Sequence, residues 1–159
     1  MVRFYIVPAR TPEHVTIAKH LFTAYVEWLN IDLSYQSFHS ELSSLPGKYA
    51  APDGELLLAY SPDNTPLGCI AVRPLDGEKQ CEMKRLYVTP EARGTGVGKA
   101  LVVAVVQRAR ELGYNVMKLD TLPSRMQGAI QLYKRIGFVE TEPYYETPMK
   151  ETIFLALEL

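Results

Sequence analysis

The stretch Arg93-Gly-Thr-Gly-Val-Gly-Lys99 sets three alternating glycines behind an arginine and ahead of an apolar run. Glycines let a backbone come close to a bulky anion. A helix starting there offers free N–H groups and the positive end of its dipole. Arg93 adds a charged donor able to bond two oxygens at once. This is the chemistry of a phosphate cradle; the alternative is a glycine-rich turn that only starts a helix. Spacing excludes two common phosphate loops. A G-x-x-x-x-G-K-[ST] loop ending at Lys99 needs a glycine and a hydroxyl where the chain has Arg93 and Ala100. A G-x-G-x-x-G fingerprint does not fit Gly94, Gly96 and Gly98.

Other reactive residue types form no pattern by themselves. Cys69 and Cys81 make neither C-x-x-C nor a zinc-ligand spacing, and read as reduced, buried thiols. His14 and His20 lie six apart, off a common helix face, and no H-E-x-x-H occurs, so no metal is expected. Seventeen basic and eighteen acidic residues leave a formal net charge of -1. That lacks the basic excess of a nucleic-acid binder. The longest apolar run, Ala100 to Val106, falls far short of the roughly 20 residues that span a bilayer. FYIV before Pro8 is too short for a signal peptide. The expectation is one globular domain over 1–159, cytoplasmic, with no membrane or nucleic-acid partner.

The elements that must position the glycine loop follow from periodicity. Phe4–Val7 reads as a strand. Thr11 and Pro12 start a helix whose apolar face is Val15, Ala18, Phe22, Tyr25, Val26 and Leu29. A shorter helix is expected over Gln36–Leu45. Glu55–Tyr60 and Leu67–Val72 form a hairpin, and Cys81–Val88 a fourth strand. After the loop, Val102, Val105, Val106, Ala109 and Leu112 recur at helical spacing up to Gly113. Asn115–Thr121 is a fifth strand. Ser124 with Gln127 reads as a capping signal for a helix carrying Met126, Ala129, Ile130, Tyr133 and Ile136. FVETEPYY and TIFLALEL close the chain as strands. Helices interrupting a mixed sheet give an α/β (α+β) class.

The run CEMKRLYVTPEARGTGVGKAL resembles the acetyl-CoA-binding segment of the GNAT superfamily of N-acetyltransferases. That segment is a strand, a Y-V-x-P-x-x link and R-x-x-G-x-G opening a helix, here Tyr87 to Pro90 with Arg93, Gly96 and Gly98. A second block, Ala129 to Phe138, resembles the family's A-x-x-L-Y-x-x-x-G-F. Together the motifs cover the C-terminal half. The element order fits the rest: a mixed, mostly antiparallel sheet of about seven strands with about four helices.

The resemblance implies acetyl transfer from acetyl-CoA to a primary amine of a small molecule or peptide, by direct attack in a ternary complex. The backbone of Arg93, Gly94, Thr95, Gly96, Val97, Gly98 and Lys99 would cradle the coenzyme A pyrophosphate. Leu86, Tyr87 and Val88 would pair with the pantetheine arm, and an N–H near Leu86 or Tyr87 would polarise the thioester carbonyl. Many members carry an Asn where this chain has Met126, so Ser124 or Gln127 is the stand-in. Tyr133 matches the family's general acid; its other reading is an aromatic member of an apolar helix face. Glu82 is the expected base, against a carboxylate merely paired with Lys84; Asp120 and water are the alternatives. Trp28, Tyr144 and Tyr145 are the candidate acceptor contacts, against ordinary aromatic packing, with His20 or His39 at the pocket edge. Arg73, Lys84 and Arg85 suit a carboxylate on the acceptor or a phosphate of the cofactor; the alternative is a solvated strand face. A homodimer through a C-terminal strand edge is expected. The rival reading is a non-catalytic acyl-CoA-binding sensor or partner module, which would not need Tyr133 and Glu82.

Overall fold

The computed structural model describes residues 3–77 and 79–159. Its strands are β1 (Tyr5–Pro8), β2 (Glu55–Tyr60), β3 (Pro66–Pro74), β4 (Gln80–Val88), β5 (Val116–Thr121), β6 (Val139–Thr141) and β7 (Ile153–Glu158). Its helices are α1 (Pro12–Leu29), α2 (Phe38–Ser44), α3 (Val97–Glu111) and α4 (Gln127–Ile136). The sheet order is β1-β2-β3-β4-β5-β7-β6. Every pairing is antiparallel except β4 with β5. This is the mixed seven-stranded sheet with four helices expected from the pattern.

Apolar side chains line both faces of the sheet, so there are two cores. Leu57, Ile70, Val72, Cys81, Met83 and Leu155 pack against Leu101, Val105 and Ala109 of α3 and Tyr133 of α4. On the opposite face Leu56, Leu58, Cys69 and Ala71 meet Ala18, Phe22, Tyr25 and Leu29 of α1. The central strands are therefore apolar at successive positions, as ELLLAY shows, because neither face is wet. Thr11 caps α1 by accepting from the His14 N–H at 3.1 Å, and His14 Nδ1 accepts back from the Thr11 N–H. Glu55 is 1% exposed at the start of β2. It takes two bonds from Arg10 and one from Arg108 of α3, at 2.7 to 2.9 Å, and so ties α1's approach and α3 to the sheet.

Strand β4 is bulged, and the bulge decides where the functional side chains point. Its register against β3 jumps from Ala71↔Lys84 to Cys69↔Tyr87, three steps against two. Arg85 sits at the jump with φ of 62°. Such a left-handed backbone costs a non-glycine residue about 1–2 kcal/mol. Before the bulge Cys81 and Met83 face α3; after it Leu86 and Val88 do. The parity switch places Lys84 and Arg85, adjacent in sequence, on the same α1 and α2 side as Glu82. The bulge also ends the β4–β5 ladder, which runs only from Gln80↔Val116 to Glu82↔Lys118. Beyond it the two parallel strands have no mutual pairing.

Three local expectations are corrected. The helix over Gln36–Leu45 is a 3-10 turn, Ser34–Gln36, followed by α2; Ser37 between them has φ of 56°, which breaks the run. Strand β6 stops at Thr141, so Tyr144 and Tyr145 are in a loop and not on a strand. Pro143 lacks the N–H that a continued ladder would use. Both rings consequently turn the same way, each edge-on to Phe154 at 5.2 and 5.3 Å. Ser124 does not cap α4. Its hydroxyl bonds Glu151, and Arg125 and Met126 close a turn onto the Leu122 carbonyl before the helix begins at Gln127.

Candidate active site

Three connected cavities run across the splayed end of β4 and β5. The first, about 390 Å³, is lined by Leu86, Tyr87 and Val88 of β4, by Arg93, Gly94, Gly96, Gly98 and Lys99, and by Arg125, Met126 and Ala129 before and in α4. The N–H groups of Val97, Gly98 and Lys99 precede the first intrahelical bond of α3, which Ala100 makes to the Gly96 carbonyl at 3.0 Å. Gly94 and Gly96 have φ of 76° and 92°, and a Cβ built on either meets no protein atom within 4 Å. The loop is thus an open, N–H-rich cradle at a helix N-terminus, rimmed by the cations Arg93, Lys99 and Arg125.

Most of the residues expected to hold a cofactor meet in this one cavity. Two of the loop residues differ: Val97 is fully buried in the α3 core, and the Thr95 hydroxyl bonds the Ala92 carbonyl. Ser124 lies outside it, and Met126 occupies the corresponding wall, with its sulfur accepting from the Thr121 hydroxyl at 3.6 Å. Trp28 also lines this cavity, apart from Tyr144 and Tyr145. The Arg93 guanidinium lies 5.0 Å from its ring centroid.

The second cavity, about 400 Å³, opens on the other side of the sheet's cleft and is lined by Tyr35, Gln36, Lys48, Arg73, Asp76, Glu82, Lys84, Tyr144 and Tyr145. Between the two lies a narrow cleft of about 30 Å³. It shares Leu86 and Met126 with the first cavity and Tyr35, Gln36 and Lys84 with the second, and adds Asp120 and Tyr133.

A charged chain of side chains spans this junction. Tyr144 donates to Glu82 at 2.6 Å and Tyr145 to Asp120 at 2.7 Å. The Lys84 ammonium stands between the two carboxylates, 3.8 Å from Glu82 and 3.9 Å from Asp120, and donates to Gln36 at 3.2 Å. Arg73 Nε holds the other Glu82 oxygen at 2.9 Å. Burial, and then the charge of Arg85, push Lys84 below the usual lysine value, although both carboxylates oppose the shift. Arg85 itself is clamped by both oxygens of Glu41 at 2.8 and 3.0 Å and by Gln36 at 2.9 Å, with Phe38 beneath it. This clamp holds the strained backbone of the bulge in place.

Tyr133 is 2% exposed, and its hydroxyl has no hydrogen bond among the described residues. Burial, then Tyr25 and the Asp120 carboxylate, push its pKa upward, so the phenol keeps its proton at neutral pH. Glu82 is also buried, and both its oxygens are engaged; Asp120 Oδ1 accepts no hydrogen bond among the described residues. Sequence reasoning ranked Asp120 behind Glu82 and missed Gln36, Tyr35 and the central place of Lys84. The signal for Lys84 was the three-residue step from Met83 to Leu86, which breaks strand alternation at the bulge. Gln36 and Tyr35 reach the site only through tertiary packing. Among the described residues no group of three or more His, Cys, Asp or Glu side chains is placed to hold a metal, and no helix is long and apolar enough to cross a membrane. Both thiols are buried and unpaired, and burial raises the pKa of Cys81 to about 12.

Residues 17–138 match the family model for the acetyltransferase (GNAT) family. The chain is 41% identical over 150 residues to an uncharacterised N-acetyltransferase of Schizosaccharomyces pombe, covering 94% of this chain and 91% of that one. Its fold is that of a GNAT-family acetyltransferase from Staphylococcus aureus, with a TM-score of 0.81 at 19% identity over 98% and 99% of the two chains. A Salmonella typhimurium protein solved with its cofactor acetyl-CoA superimposes with a TM-score of 0.67 at 18% identity, over 98% and 93%. With the splayed strands and the glycine cradle already in place, these matches settle the family: the chain belongs to the GNAT acetyltransferases and is an N-acetyltransferase.

Proposed function

We propose that the protein moves an acetyl group from acetyl-CoA to a primary amine of a small molecule or peptide, by direct attack with both substrates bound. The observation that carries this reading is the narrow cleft holding Tyr133 and Asp120 between two larger cavities. The first cavity suits coenzyme A. Its cradle of N–H groups and three cations matches a pyrophosphate, and the open glycines leave room for one. The unpaired edge of β4 from Met83 to Val88 suits an amide-rich arm. Bound there, acetyl-CoA supplies a thioester whose thiolate needs a proton on departure.

The chain's own residues would divide the proton work. A protonated amine has a pKa near 10 and must lose a proton to become a nucleophile. The Asp120 and Glu82 carboxylates, bridged by Lys84, form a joint acceptor for that proton, and Asp120 lines the same narrow cleft as Tyr133. Tyr144 and Tyr145 hold both carboxylates in position. Tyr133 keeps its own proton through burial and is the donor on the thiolate side. An N–H of the bulged β4 near Leu86 or Tyr87 would stabilise developing negative charge on the carbonyl oxygen. Amine-dependent release of free thiol from acetyl-CoA tests this. Tyr133→Phe should lower kcat about 100-fold with little change in acetyl-CoA affinity. Wild-type turnover by that variant contradicts the assignment.

A further inference from the structure

Gln36 ends the 3-10 turn Ser34–Gln36, just before Ser37, whose φ of 56° turns the chain into α2. Its half-buried side chain lines both the narrow cleft and the acceptor cavity. A primary amide has two lone pairs on its oxygen and two hydrogens on its nitrogen. All four are used here. Oε1 accepts from Arg85 at 2.9 Å and from Lys84 at 3.2 Å. Nε2 donates to the Tyr35 hydroxyl at 3.3 Å and to the Tyr145 hydroxyl at 3.4 Å. The two cations fix which way round the amide sits, since neither can accept a bond from its nitrogen.

That orientation decides where a hydrogen goes. Nε2 can only donate, so the Tyr145 oxygen receives its bond, and the phenolic hydrogen is left for another acceptor. It goes to Asp120 Oδ2 at 2.7 Å. Burial first, and then the Asp120 charge, push the Tyr145 pKa upward, so the hydroxyl keeps the hydrogen it donates. One chain of bonds thus runs from Glu41 through Arg85, Gln36 and Tyr145 to Asp120. The same amide oxygen anchors Lys84, whose ammonium stands between Asp120 and Glu82. A hydrogen bond donated to a carboxylate favours its charged form. Asp120 therefore offers Oδ1, which accepts no hydrogen bond among the described residues, to an incoming proton.

We propose that Gln36 is a positioning residue for the proton acceptor: its amide aligns the Tyr145 hydroxyl on Asp120 and holds Lys84 between Asp120 and Glu82. This rests on the acetyl-transfer reading, in which those carboxylates take the amine's proton. Gln36 acts through Tyr145 and Lys84, not on the amine itself. The other charged and titratable groups around Asp120 are Glu82 and Arg85 of β4, Tyr144 of the loop, Tyr133 of α4 and Tyr25 of α1, with Tyr35 beside Gln36. All of them stay the same when only position 36 is changed.

The test is Gln36→Glu, which keeps the side-chain length and the acceptor for Lys84 and Arg85 but replaces the donor by a second acceptor. Two carboxylates then compete for the Tyr145 hydrogen, and a negative charge enters the cleft that Asp120 lines. Both effects disfavour the charged form of Asp120. A panel of L-amino acids, their amides and alkyl diamines, assayed with acetyl-CoA by thiol release, supplies the acceptor. At saturating amine the acid limb of kcat against pH should move up by about one pH unit. Calorimetric affinity for acetyl-CoA should stay at the wild-type value, because Gln36 does not line that cavity. In a Tyr145→Phe background the same substitution should move the limb less, since the hydroxyl that transmits its effect is gone. A structural glutamine would lower kcat or the melting temperature and leave the limb in place. An unmoved limb, or equal shifts in the two backgrounds, overturns the proposal and leaves the acetyl-transfer reading standing. Wild-type turnover by the double variant Asp120→Asn, Glu82→Gln, or an inactive panel, removes that reading and the proposal together.

Discussion

Glu41→Gln keeps the shape of its side chain and removes one charge. In the wild type that charge faces Arg85, whose side chain is 2% exposed against 12% for Glu41. Burial disfavours the guanidinium charge, and the bond and charge of Glu41, helped by Tyr49 and Tyr25, together more than restore it. Without the carboxylate, Arg85 is a buried cation at a backbone position that is already strained, with φ of 62°. Removing one partner of such a pair costs about 3–5 kcal/mol, a large share of the about 5–15 kcal/mol by which a domain is folded. At this chain length the melting temperature should fall by roughly 10 °C or more. A matched control is Glu111→Gln, whose pair with Arg108 is 3.6 Å apart and half exposed; it should cost below about 1 kcal/mol. Thermal unfolding followed by circular dichroism compares the two. Because the clamp shapes the bulge that sets Leu86 to Val88, acetyl-CoA affinity should also drop in Glu41→Gln. A melting temperature no lower than that of the Glu111→Gln control would refute the reasoning.

Two pH dependences follow from other buried charges. Burial pushes the Glu55 carboxyl up, but Arg10, Arg108 and the Leu56 N–H together bring it below 4.5. The stability it contributes is therefore full above pH 4.5 and lost as the pH falls through the lower folded value. Glu55→Gln should be less stable at pH 7, and denaturant titrations should show its deficit shrinking from pH 5 towards pH 2. Lys84 has the opposite sign: its folded value is depressed below 10.5, so between those values the unfolded chain binds more protons and stability rises with pH. In Lys84→Met that rise should vanish, as urea midpoints from pH 7 to pH 10.5 would show.

The frame was legible because its signals are local. Thr11-Pro12 marks the start of α1, and Gly113 and Gly137 follow the two C-terminal helices. The glycine loop was readable because an N–H cradle needs glycine and a helix start in one short stretch. The bulge left only a weaker trace. No glycine marks it, since the clamp on Arg85 replaces the usual conformational freedom, and its partner Glu41 is 44 residues away. Its sequence signature is the apolar step from Met83 to Leu86. The pair Tyr144-Tyr145 was misplaced because aromatic residues favour strands, while the constraint that mattered was Pro143 ahead of them. Trp28 was expected near the acceptor; the structure sets it against Arg93 instead, a contact between distant segments that no spacing encodes.

The central claim is that the glycine cradle beside the splayed strands binds acetyl-CoA. Calorimetric titration of acetyl-CoA into wild type and Gly96→Asp tests it most directly. A Cβ at Gly96 meets no protein atom, so the substitution strains the left-handed backbone and sets a carboxylate in the cradle without disturbing the core. Saturable micromolar binding by wild type, lost in a variant that still unfolds cooperatively, is the predicted result. Equal affinity in the two proteins, or no binding by wild type, would contradict the account.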